Sequence, residues 1–247
     1  MIDPHKPTLL DYQLLRDQAT AHFAETAGKV ACGPGCSDCC SQFIAASFAD
    51  ALVIARHLLI SGRASDAKLL ERLQEDAKEQ STTGPVEWLS VGRACAFLVD
   101  NRCSIYSVRP LNCRQVLVRG SADRCAPEKL YQIAIGTRSR DEIPVFADWT
   151  GLIPVGVMAQ EVTRPILRVV GLGDLPPAPL PAAVLAALHF LVTGSASSLE
   201  TWAAIRNQAS TQPTTPGENG NSETTAESIQ REQVPAGNLH SISSFAP

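Results

Sequence analysis

Four cysteines crowd into the stretch Cys32-Gly-Pro-Gly-Cys36-Ser-Asp-Cys39-Cys40, and the remaining four, Cys95, Cys103, Cys113 and Cys125, all follow by residue 125. None follows Cys125, although about half of the 247-residue chain is still to come. Thiolates are ligands for zinc, iron and iron–sulfur clusters, and spacing of this kind lets several reach one centre. A chain with this pattern must fold so that distant loops meet around sulfur. Gly33, Pro34 and Gly35 force a turn that presents backbone amides beside the first thiols.

Disulfides are the first alternative, since eight cysteines allow four bridges. The N-terminus, Met-Ile-Asp-Pro-His-Lys-Pro, lacks the basic-then-apolar pattern of a secretory signal, which leads us to expect a cytoplasmic protein with reduced thiols. Adjacent Cys39 and Cys40 also weigh against bridging, because neighbouring side chains point apart. At 45% hydrophobic the chain can bury a core without covalent staples. The net charge of −4 gives no reason to expect nucleic acid or an anionic membrane as a partner. The longest apolar stretch, Leu180 to Val192, carries His189 and is too short to span a bilayer.

Apolar periodicity predicts helices over Leu9 to about Ala27, from Ser47 to Ser61-Gly62, and over Asp66 to about Gln80. Thr8 and Asp11 cap the first, whose stripe reads Leu10, Leu14, Leu15, Ala19 and Phe23, with Gly28 as a stop. Ser47 and Asp50 form a capping box on the second. The third stops before Gly84-Pro85. The second and third read as an inserted hairpin, 47–80, that spaces the cysteine halves apart. His57 on it reads as an ordinary surface or core histidine.

Ala96 to Tyr106 reads as a short β-hairpin around the loop Asp100-Asn101-Arg102. With a three-residue loop Cys103 faces Val99, leaving Cys95 about four strand positions away, roughly 13 Å. Either the pairing breaks near Cys95, or the two cysteines serve different centres. Further on, Pro127 to about Arg138 reads as helical, 143–175 as short strands, and 176–181 as a stiff proline linker. Two helices follow, Ala182 to Val192 and Ser198 to Gln208, before a polar tail expected to be disordered.

Arginines 93, 102, 109, 114, 119 and 124 outnumber Asp100 and Asp123 in the second cysteine segment. A four-thiolate zinc site carries about −2, which nearby guanidinium groups offset. Arg109 and Arg114, flanking Cys113, are the candidates for that role. Phe97 and Tyr106 read as apolar wall. Sulfur-only ligation suits zinc, iron–sulfur clusters or cuprous copper rather than magnesium or calcium. Eight thiols could form two zinc sites, a four-iron cluster plus a zinc, or one site with spare redox cysteines. Cys32-x3-Cys36-x2-Cys39 also has radical S-adenosylmethionine spacing, but the repeated strand–helix units of that fold are not evident after it.

The elements Cys95-Ala-Phe-Leu, Cys103-Ser-Ile-Tyr-Ser-Val-Arg-Pro and Asn112-Cys113-Arg114 follow the first cluster in order. Together they resemble the YkgJ or CxxCxxCC family of bacterial zinc- or iron-chelating cysteine-cluster proteins, over about residues 32–125. The resemblance implies metal ligation by Cys32, Cys36, Cys39, Cys40, Cys95, Cys103, Cys113 and Cys125, of zinc or iron, with a [4Fe-4S] cluster as one form. Some relatives of this kind are protein-lysine methylases, so an iron–sulfur-dependent methyltransferase using S-adenosylmethionine is the alternative function.

The expected fold is mainly α, with an irregular Cys-rich metal-binding centre, a short β-hairpin and a disordered C-terminal tail. Its divisions are 1–140 for the cysteine-cluster domain, 141–208 for a Pro-containing segment with C-terminal helices, and 209–247 for the tail. A metal ion is the expected partner, and a protein partner is left open.

Overall fold

The computed structural model describes residues 7–27, 30–118, 121–139, 145–146 and 153–209. The expected stop at Gly28 and the tail from residue 210 lie outside these. Helix α1 spans Leu9–Ala27, with Thr8 Oγ1 accepting from Asp11 N–H at 3.3 Å and Asp11 Oδ2 accepting from Thr8 N–H at 2.8 Å. Leu15, Ala19 and Phe23 of the expected stripe pack against the core, but its first two leucines do not. Leu10 and Leu14 are 62% and 47% exposed, while Tyr12 and Arg16 are fully enclosed. A carboxylate on the next helix, described below, draws the polar face inward.

Helix α2, Phe48–Ile60, begins at the Ser47 cap and is buried along nearly its whole length. A turn at Arg63–Ser65 leads into α3, Ala67–Gln80, capped by Asp66, which accepts from the amides of Lys68 and Leu69. α3 does stop before Gly84-Pro85, with Ser81 as its last cap, but Pro85 also opens another helix, α4, Pro85–Val91. A proline at the first helical position loses no bond there.

The second half departs further from expectation. Helix α6, Pro127–Ala134, follows the four-residue α5, Leu111–Arg114, and is shorter than predicted, with Gly136 at φ 78° beyond it. In place of several strands, the described residues of 143–175 hold a short strand at Val145–Phe146 and the long helix α7, Ile153–Val169, which continues through Pro165. Apolar residues with scattered proline misled the reading, because burial against α1 and α2 sustains this helix. The expected linker is no spacer either. Ala178–Pro179 pairs antiparallel with Ala45–Ala46, and Leu180–Pro181 already lie in the first turn of α8, Leu180–Thr193. Leu180 N–H donates to Ile44 O at 2.7 Å, so α2 and α8 start from one clamped point.

Helix α9, Ser197–Ala209, completes the set. In chain order the strands are β1 (Ala45–Ala46), β2 (Leu98–Val99), β3 (Arg102–Cys103), β4 (Val116–Leu117), β5 (Val145–Phe146) and β6 (Ala178–Pro179), paired β1–β6, β2–β3 and β4–β5. The core gathers around α2: Leu52, Ile54 and Leu58 meet Leu69 and Leu73 of α3, Val155 of α7 and Ala183, Val184 and Ala187 of α8. Phe48 sits edge-on to Phe190 and Trp202, at 6.2 and 5.6 Å between ring centroids. Phe97 and Ile105 from the cysteine loops enter the same core, which therefore crosses the expected boundary near residue 140. Among the described residues no helix is long and apolar enough to cross a membrane.

Candidate metal centre

The glycine-proline turn folds the first cluster back on itself. Gly35 takes φ 94°, which a β-carbon would strain, and Cys36 N–H donates to Gly33 O at 3.0 Å. A 3₁₀ turn, Asp38–Ser41, then carries Cys39 and Cys40, with Cys40 N–H bonded to Ser37 O at 2.8 Å. Cys32 is fastened at the other end of the stretch: its Sγ accepts from Val118 N–H at 3.3 Å, and Ala31 N–H donates to Val118 O at 2.7 Å.

The β2–β3 hairpin differs from the expected register. Its loop is two residues long, since Leu98 pairs with Cys103 and Val99 with Arg102. Asp100 and Asn101 at φ 49° and 58° make the turn, a left-handed pair that Asp and Asn tolerate better than most residues. On the other arm Leu98 N–H donates to Cys95 O at 2.9 Å, so the chain curls instead of continuing as a strand. Cys95 N–H then reaches Cys40 O at 2.7 Å. Of the two alternatives, the pairing breaks at Cys95, and both cysteines face the first cluster's neighbourhood. Cys113 lies in α5, and Cys125 ends the 3₁₀ turn Ala122–Cys125.

All eight cysteines are free thiols, and their charges act on one another. Cys39 is the common member: a negative charge on it raises the pKa of Cys32, Cys40, Cys95, Cys103, Cys113 and Cys125. Cys36 joins the set through Cys32 and Cys125. The Cys40 S–H donates to Cys39, which, helped by the Arg109 charge and against burial, brings Cys39 down to about 7. The same bond, followed by burial, drives Cys40 upward. Burial pushes Cys95 and Cys125 up to about 12, Cys113 well above its ordinary value, and Cys32 and Cys103 upward.

Backbone amides oppose that burial at three sulfurs, from Val118 to Cys32, Phe97 to Cys95 and Ile105 to Cys103. N–H groups aimed at sulfur stabilise thiolate and orient it for a metal. Arg109 adds a positive charge that lowers Cys32, Cys39, Cys103 and Cys113. Its guanidinium lies 3.7 Å over the Tyr106 ring, its Nε donates to Tyr106 O, and no ion pair with an acid claims it among the described residues. Arg114 points elsewhere, pairing with Asp17 at 3.1 Å and donating to the carbonyls of Arg109 and Ser107. Arg93 is taken by Glu75, Asp76 and Glu79 of α3.

Two groups escaped the sequence reading. Arg63 lowers Cys103 from the α2–α3 turn. Asp50, read as a cap, is also a buried carboxylate joining α1, α2 and α5. Its position on an apolar face, four residues before Ile54, is the one signal that marks it.

The donor set fits a thiophilic cation: a pool of sulfurs, amides directed at three of them, and the Arg109 and Arg63 charges to balance thiolate. Among the described residues, no three Cys, His, Asp or Glu side chains are gathered tightly enough to hold an ion as they stand. The cluster is a shared neighbourhood rather than a closed cage. No curated protein and no solved structure matches the chain. Residues 31–126 match the model of the CxxCxxCC family, described as a putative zinc- or iron-chelating domain, and the matched segment holds all eight cysteines.

Proposed function

We propose that the chain chelates zinc or iron with thiolates drawn from Cys32, Cys36, Cys39, Cys40, Cys95, Cys103, Cys113 and Cys125, and that Cys39 is the ligand around which the others close. The single observation that supports this most is that six thiols, from both cysteine segments, lie within the field of Cys39. A cation placed there offsets the burial that keeps most of these sulfurs protonated, and with it the lesser repulsion among them. Arg109 offsets part of the remaining negative charge. Binding draws loop cysteines together from their open arrangement, and it releases protons as thiols become thiolates. Sulfur ligation accommodates zinc or a four-iron cluster equally in chemical type, and the metal bound is the cofactor, with reduced thiols suited to a cytoplasmic setting.

Serine replacement tests the ligand assignment. Cys39→Ser and Cys113→Ser, one from each half, should each lower metal content per chain and weaken retention against a chelator. Unchanged metal content in both would remove the proposal that the two halves share a centre.

A further inference from the structure

Helix α1 lies outside the family match, yet two paths, one of hydrogen bonds and one through an ion pair, run from it to the thiol loops. The first passes through Asp50, buried at 3% exposure. Its Oδ1 accepts from Tyr12 Oη at 2.8 Å, from Arg16 Nη1 at 3.1 Å and from Leu111 N–H at 3.3 Å. Leu111 opens α5, a helix start with no side-chain cap of its own, so the α1–α2 carboxylate stands in for one. Cys113 is two residues further along. A buried carboxylate is tolerated only with such donors, and removing one leaves its charge less compensated.

The second path runs through Asp17. It pairs with Arg114, whose other nitrogens hold the carbonyls of Ser107 and Arg109. Those carbonyls frame the backbone that carries the Arg109 guanidinium over Tyr106. The two paths bracket the segment 107–114 from both sides. Asn112 adds a third tie, donating to Ala45 O at 2.7 Å.

We propose that Tyr12, Arg16 and Asp17 of α1 are positioning residues of the thiol centre, setting the placement of Arg109 and Cys113. Loading of the centre and docking of α1 then strengthen one another, because a coupling free energy acts equally in both directions. This rests on the chelation reading above. It makes α1 a reporter of metal occupancy on the outside of the molecule, where Leu10 and Leu14 are exposed.

The test uses the full chain and zinc. Asp17 is half-exposed, so Asp17→Asn should fold. Zinc affinity by chelator competition should fall about threefold in Asp17→Asn, the scale of a half-exposed ion pair, and stay near wild type in Asp17→Glu. Hydrogen exchange of the α1 amides should slow when zinc is added to the wild type. An unchanged affinity in Asp17→Asn, or α1 exchange indifferent to zinc, overturns the proposal. If the wild type takes up no zinc or iron, the chelation reading falls instead. Exchange at the Leu111 amide of the metal-free chain then decides the coupling: faster in Tyr12→Phe supports it, and unchanged overturns it.

Discussion

Cys39 stands apart from the other thiols because it accepts the Cys40 proton and faces Arg109, while burial dominates at Cys95 and Cys125. The two kinds of shift act on stability in opposite pH windows. A thiol near 7 in the folded chain and near 9 unfolded contributes stability that is present above pH 9 and lost as pH falls toward 7. Thiols held at about 12 contribute stability that is present below pH 9 and lost as pH rises toward 12. The reduced, metal-free chain should therefore be most stable near pH 9 and weaken steeply above it. Denaturant unfolding in chelator at pH 7, 9 and 10.5 checks this, and equal stability at 9 and 10.5 would contradict it. At this scale the sequence is informative about which residues carry sulfur and charge, since those are written in residue type and spacing. The direction in which Arg109 and Arg114 point is not, because it depends on Tyr106 beneath one and on Asp17, far away in the chain, beside the other.

Local rules account well for the helices that begin at Thr8, Ser47 and Asp66, where short-range caps coincide with apolar periodicity. They fail where the partner is remote. β6 exists because Ala45–Ala46 offers a pairing edge, and the polar face of α1 turns inward because Asp50 waits there. The hairpin shows the limit within a single turn: Asp100-Asn101-Arg102 is read as three loop residues, but left-handed Asp100 and Asn101 close the loop in two. That register carries a prediction. Asn101→Val forces a β-branched residue into φ 58° and should cost about 1 kcal/mol. It should also loosen Cys103 and weaken metal retention. Unfolding and chelator competition on the variant check both effects, and a variant as stable as wild type would contradict the turn.

Across the whole molecule, the cysteine loops rest on a core that later helices complete. Leu180, Ala183, Val184 and Ala187 of α8 close over α2 and α3, and Phe97 and Ile105 reach into the same core from the loops. A chain ending at residue 140 should therefore lose cooperative unfolding and hold metal weakly, although all its cysteines remain. Circular dichroism melts and metal content measure this, and a cooperative, metal-retaining fragment would contradict the shared core. The division near 140 follows naturally from where the cysteines stop, because contact between distant helices leaves no local mark in composition. The metal itself is the most direct test of the account. Anaerobic purification, followed by an absorption spectrum and metal analysis on one sample, should find zinc or iron bound to the chain. Iron with acid-labile sulfide and absorption near about 400 nm would identify a cluster, and a colourless zinc protein would identify simple thiolate sites. A reduced, folded chain with neither metal would contradict the central claim.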